Sequence, residues 1–118
     1  MTQLNDLCRK LVADSLAGRG GPETLESYVS LRPERVELRR AFDEQVDSIP
    51  VSDSEREAAD LFDDFRAWAD EAEAKIAEAA ESGDPSTFDA AVDAFGVALA
   101  GTTWKRDLAA VGISCPAR

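Results

Sequence analysis

Residues 52–92 read SDSEREAADLFDDFRAWADEAEAKIAEAAESGDPSTFDAAV, and they decide the fold. Ser52-Asp53-Ser54-Glu55 has the spacing of a capping box, in which serine and glutamate side chains satisfy each other's orphan backbone N–H groups. Ala58, Phe62, Phe65, Ala69, Ala72, Ile76 and Ala79 then recur at alternating four- and three-residue steps, a heptad seam that Leu61 and Trp68 widen. The pattern predicts a helix of roughly 30 residues, about 45 Å long. Ser82-Gly83-Asp84-Pro85 both stops it and starts another: glycine to leave, aspartate to cap, proline at the first helical position. So short a connection predicts an antiparallel hairpin.

Downstream, Phe88, Val92, Phe95, Leu99, Leu108 and Val111 give a last helix its apolar face. Gly101-Thr102-Thr103 should weaken and kink its middle, and Gly112-Ile113 has the form of a glycine C-cap with an apolar residue folding back. Upstream, Leu4, Leu7, Cys8, Leu11, Val12 and Leu16 form one stripe on a helix over about Gln3 to Ala17. Gly18 is its natural stop, and Arg19-Gly20-Gly21-Pro22 reads as a loop. A short helical piece with Leu25, Tyr28, Val29 and Leu31 follows. Pro33 is then expected at the start of a separate helix, with Arg32 pushed out of the α region. That helix carries Leu38, Phe42, Val46 and Ile49 inward to about Ser48, and Pro50 ends it.

The fold expected is therefore all-α: an antiparallel four-helix bundle with a short extra helical piece after the first helix, in one domain over 1–118. Its core should hold Leu7, Leu11, Phe42, Val46, Phe62, Phe65, Ile76, Phe88, Phe95 and Leu99.

Charge sets limits on function. Twenty-four acidic residues face thirteen basic ones, three of them lysines, for a net charge of −11. Such a surface repels phosphate backbones, which argues against direct nucleic-acid or anionic-membrane binding. No stretch has the apolar length of a membrane span, so insertion by this segment is not expected. Met1-Thr2-Gln3-Leu4-Asn5-Asp6 lacks the charged start and apolar run of a signal peptide. The chain is either cytoplasmic, or Met1 stands where a targeting segment was removed.

There are two cysteines, Cys8 on the apolar stripe of the first helix and Cys115 just beyond the last. An up-down-up-down bundle starts its first helix and ends its fourth at the same pole, which brings the two together. A bridge would close a loop of about 106 residues, worth roughly 4–5 kcal/mol if it acts through chain entropy. The plainer alternative is two unpaired thiols, Cys8 serving as a small core hydrophobe. A disulfide would imply an oxidising compartment.

The early cysteine on an apolar helix, Pro33-Glu34 opening a later one, the long Ala/Glu-rich helices and the closing Leu108…Gly112-Ile113-Ser114-Cys115 resemble small actinobacterial extracytoplasmic helical-bundle proteins. Many of these are lipoproteins or tethered domains. The resemblance implies an extracytoplasmic location and a bridging cysteine pair, and it implies no activity.

Histidine is absent, which removes histidine-dependent triads and metal sites, including the Glu-x-x-His pairs of diiron bundles. No P-loop, Gly-x-Gly-x-x-Gly or zinc-type cysteine spacing occurs, and Gly18, Gly20 and Gly21 follow a helix rather than a strand. Asp60, Asp63 and Asp64 share one side of the third helix and could hold a hard cation; a solvated polar face is the simpler account. No enzyme activity, cofactor or metal is expected.

What remains is a surface for a protein partner. Arg32, Arg35 and Arg39 fall on one side of the second helix, with Arg40 beside them, and either dock a partner or pair with the acids of the third helix. Trp104 lies off the Leu99-to-Leu108 seam and is a further interface candidate. The leading expectation is a non-catalytic extracytoplasmic module that binds another protein or is structural. The alternative is a cytoplasmic acidic protein, an inhibitor or nucleic-acid mimic that occupies a basic cleft.

Overall fold

A computed structural model describes residues 2–16 and 23–115. These residues are all-helical, with no strand among them: α1 (Thr2–Leu16), α2 (Leu25–Asp47), a 3₁₀ turn (Asp53–Glu55), α3 (Arg56–Glu81), α4 (Pro85–Ala100) and α5 (Trp104–Ala110). Ala17, Gly18 and the predicted loop Arg19-Gly20-Gly21-Pro22 lie outside the described residues.

The hairpin signals in residues 52–92 act as expected. Glu55 accepts hydrogen bonds from the Ser52 hydroxyl and backbone N–H, holding the 3₁₀ turn that leads into α3. Gly83 takes φ +71°, a left-handed conformation that leaves the helix without a Cβ clash. Asp84 then caps α4 by accepting from the Thr87 backbone N–H at 3.2 Å, with Pro85 in the first turn. The two helices run antiparallel, since Phe88 clusters with Ile76 while Phe95, further along α4, meets the earlier Trp68.

Two expectations about helix boundaries are corrected. The short piece and the second helix are one helix, α2, with Pro33 inside it and Arg32 helical. Thr24 supplies the start, exchanging hydrogen bonds with Ser27 in a capping box. Pro33 removes the hydrogen bond that would reach the Val29 carbonyl. Both residues are exposed, so water can take that carbonyl, and buried Tyr28 and Phe42 anchor the helix on either side of the proline.

The expected kink at Gly101-Thr102-Thr103 is a full break between α4 and α5. The Thr102 hydroxyl donates to the Leu99 carbonyl at 2.7 Å, and the Thr102 N–H reaches the same carbonyl, closing the helix in a tight turn. Thr103 holds the position before the new start, and its hydroxyl donates to the Asp107 side chain rather than capping a backbone N–H. At the end of α5, Gly112 sits at φ +84°. Its N–H reaches the Ala109 carbonyl while the Ile113 N–H reaches back to Leu108, a Schellman closure.

The helices extend over 47 × 27 × 21 Å with a radius of gyration of 15.1 Å. About 13.5 Å is usual for this length. The elongation separates two cores. One gathers Leu4, Cys8, Phe42, Ala58, Phe62, Phe65, Leu108 and Ile113; the other holds Tyr28, Ile76 and Phe88. Of the core expected from periodicity, Phe42, Phe62, Phe65, Ile76 and Phe88 are buried. Leu7, Leu11, Val46, Phe95 and Leu99 are only half-buried, a correction. Leu4, Tyr28, Leu108 and Ile113 are buried in addition.

At the larger core the Cys8 and Cys115 sulfurs lie at disulfide distance, 2.06 Å, with Cα atoms 5.2 Å apart. Asn5 on α1 secures the same junction. Its side-chain amide donates to the Gly112 carbonyl at 3.1 Å, and its oxygen accepts from the Ser114 N–H at 2.8 Å.

Candidate docking surface

The second helix places the arginines singled out above in different settings. Arg35 and Glu23 form an ion pair at 2.5 Å, each side chain only 16% exposed. Arg39 bonds Asp43 one turn along and sits 2.9 Å from Asp70 of α3, joining the two helices. Arg40 is exposed and bridges Glu37 and Glu44 on its own helix. Its hydrogen bonds hold the Glu37 carboxyl below its ordinary value. Arg32 is exposed, with its guanidinium near the Tyr28 hydroxyl. Pairing with the third helix thus describes Arg39, while Arg35 pairs with Glu23 and Arg40 locally.

The firmest link between α2 and α3 is one that sequence reasoning missed. Arg66 reaches from α3 to Asp43 at 3.1 Å and Asp47 at 3.0 Å, and also binds Asp63 on its own helix. Its guanidinium stacks over Phe62, 5.4 Å from the ring centroid. Burial opposes the charge, yet the three carboxylates prevail and its pKa is raised. The only signal in the sequence was Asp63 three residues before it, which is common on any charged helix.

Opposite the packed side of α2 is an apolar stripe. Val29, Pro33 and Val36 follow at four- and three-residue steps, so they are neighbours on the helix surface. The two valines are each 55% exposed, and Pro33 is exposed between them. Arg40 continues the stripe one turn on, and Arg32 flanks it. The Val29 carbonyl, unpaired by Pro33, opens at the same place. Isolated exposed valines need no explanation; here two valines and a proline adjoin on a highly charged surface.

Trp104 belongs to a different neighbourhood. It is half-buried on α5, with ring centroids 5.6 Å from Phe65 and 6.4 Å from Trp68. A cleft of about 200 Å³ lies on the far side of α3, floored by Leu4, Val46, Ile49 and Phe62 and edged by Asp60 and Asp63. Asp63 there is engaged by Arg66. Among the described residues no three carboxylate, cysteine or histidine side chains converge as a metal cage. Among the described residues no helix is long and apolar enough to cross a membrane.

The class established is all-helical over the described residues, with α1 and the turn after α5 meeting at a cysteine pair. No family model, curated protein or solved structure matches the chain.

Proposed function

We propose that this chain is a non-catalytic helical module, acting outside the cytoplasm, that docks onto another protein through the outer face of α2. In it α1, α2, α3 and the α4–α5 pair serve as the four limbs of an antiparallel bundle. The observation that carries the docking face is the contiguous Val29–Pro33–Val36 stripe, flanked by Arg32 and Arg40 on an otherwise acidic molecule. An apolar centre ringed by charges of both signs, Arg32 and Arg40 beside Glu37 and Glu44, suits the surface of another protein with a polar rim of its own. The location is supported by the Cys8–Cys115 pair, since such bridges persist in oxidising compartments.

The test is a photo-crosslinking residue at Val29 or Val36, introduced in the cells that make the protein. A discrete adduct at these positions, and none at Ala74 on α3, is the expected result. Absence of any adduct at either valine would remove the docking face. Two reactive thiols in protein denatured directly from those cells would remove the location.

A cytoplasmic acidic protein that fills a basic cleft is the second reading, favoured by one row of carboxylates. Asp60, Asp64, Glu71 and Glu78 are exposed along one line of α3, spanning about 27 Å at the helical rise. None of them forms an ion pair among the described residues. The thiol measurement separates the two readings.

A further inference from the structure

α4 has two unlike faces. Phe88, Val92 and Phe95 turn inward, toward the core that includes Ile76 of α3. On the opposite side Ala90, Ala94, Val97 and Gly101 follow at four-, three- and four-residue steps, and all are exposed. Val97 is 74% exposed, the largest value among the exposed large hydrophobics. The ten residues from Ala94 to Thr103 carry no charge, in a chain that is 31% charged. Gly96 lies at the edge of this face in a helix interior, where glycine weakens the helix. Apart from its chain neighbours and the helix's own backbone, no atom lies within 4 Å of where its Cβ would stand, so packing within the monomer does not require the side chain to be missing.

The charges around this face are arranged with a direction. Asp89, Asp93, Gly96 and Ala100 run along one edge at helical spacing, and Lys105 joins Gly96 and Ala100 around a shallow hollow. Asp89, Asp93 and Lys105 are exposed and form no ion pair among the described residues. One edge therefore has acid toward the start of α4 and base beyond its end. A two-fold axis beside Val97 would lay two such helices antiparallel and keep the two edges on the same side. Asp93 of one copy then faces Lys105 of the other, twice, which is the self-complementarity an isologous interface needs. For two bodies of net charge −11, an uncharged face also avoids opposing carboxylates.

We infer that two copies of this chain associate through the outer face of α4, antiparallel about Val97, with reciprocal Asp93–Lys105 pairs. Sedimentation equilibrium on the purified, oxidised chain should show a reversible dimer. Val97→Glu should weaken it at least tenfold, and Lys105→Glu about fivefold. Asp93→Lys is the discriminating variant. It lowers the net negative charge, so mere relief of repulsion would strengthen association, whereas loss of a specific pair weakens it about fivefold. Asp93→Lys combined with Lys105→Glu should return the wild-type value. All three positions are exposed, and unchanged helical circular dichroism will confirm that each variant is folded. A chain that stays monomeric into the millimolar range overturns the inference. So does a dimer indifferent to Val97→Glu, or a double reversal weaker than either single change.

Discussion

The two ends of this molecule are built to different standards. The pole near the cysteines gathers eight buried side chains from α1, α2, α3, α5 and the closing turn, and adds the Asn5 clamp and the Cys8–Cys115 pair. The core cluster at the opposite pole has three buried side chains, Tyr28, Ile76 and Phe88, and the Tyr28 hydroxyl donates to Glu73 there at 2.7 Å. Aromatic contacts follow the same division, save that Trp68 of the larger core meets Phe95 of the smaller at 6.1 Å. Tyr28 and Phe88 meet at 5.2 Å, while Phe42, Phe62, Phe65, Trp68 and Trp104 form a linked chain of rings. The lesson is that one continuous run of helical periodicity can serve two cores of unequal strength. Local opening should start at the thinner one.

The largest test of that inequality is the cysteine pair. Cys115→Ser, or reduction, should lower stability by about 4–5 kcal/mol, the chain entropy of a loop closed across 107 residues of sequence. Guanidinium unfolding with and without reductant measures it. A loss below about 1 kcal/mol would mean that the stapled pole owes its firmness to packing alone.

Next come Phe62→Ala and Phe88→Ala, one at each pole, both at fully buried positions and each expected to cost roughly 3–5 kcal/mol. Their hydrogen-exchange signatures should differ. Phe88→Ala should expose amides in the second half of α3 and the first half of α4, leaving the cysteine pole protected. Phe62→Ala should weaken protection everywhere. Equal, global losses from both would collapse the two poles into one cooperative unit.

A smaller effect concerns the closing turn. Gly112→Ala forces a side chain into the left-handed region at φ +84° and should cost about 1–2 kcal/mol. Thermal unfolding of the oxidised protein measures it.

The smallest effect belongs to the thin pole and depends on pH. Burial first, and then the Glu73 carboxylate, push the Tyr28 hydroxyl above the ordinary tyrosine value. A group whose pKa is raised by folding contributes stability that is complete below the unfolded value, near pH 10, and is lost as pH rises above it. Tyr28→Phe should therefore cost less than about 1 kcal/mol at neutral pH, since Glu73 is left exposed to water. It should also flatten the decline of stability above pH 10. Tyr28 is the chain's single tyrosine, so its phenolate absorbance reports the titration directly. Ionisation at the ordinary value in the folded protein would contradict the burial.

What could be read from the sequence was largely local. Capping at Ser52 and Asp84, the glycine closure at Gly112 and the pairing of Cys8 with Cys115 each depend on a few adjacent residues or on a simple topology. What could not be read depends on how many neighbours cover a face. Periodicity marks Phe95 and Leu99 as inward, but cannot say that α3 covers them only by half. Nor does it show that Pro33, which costs a helix about 3 kcal/mol, is outweighed by anchors on both sides. Arg66 is silent in the sequence because its meaning lies in Asp43 and Asp47, two carboxylates distant along the chain. The residues of the proposed docking face divide in the same way. Residue type singled out Arg35 and Arg39, which the fold engages in ion pairs, whereas Val29 and Val36 gain their meaning only from being left uncovered.

The junction of Cys8 with Cys115 also settles how the molecule carries a mechanical load. Tension applied through the chain outside these two residues enters at one α-carbon and leaves at another 5.2 Å away. The covalent bridge is the shortest path between them, so residues 9 to 114 hang beside that path as a slack loop. Shear that would peel unbridged helices apart one by one instead meets the bridge between Cys8 and Cys115, and the face of α2 keeps its shape under that load.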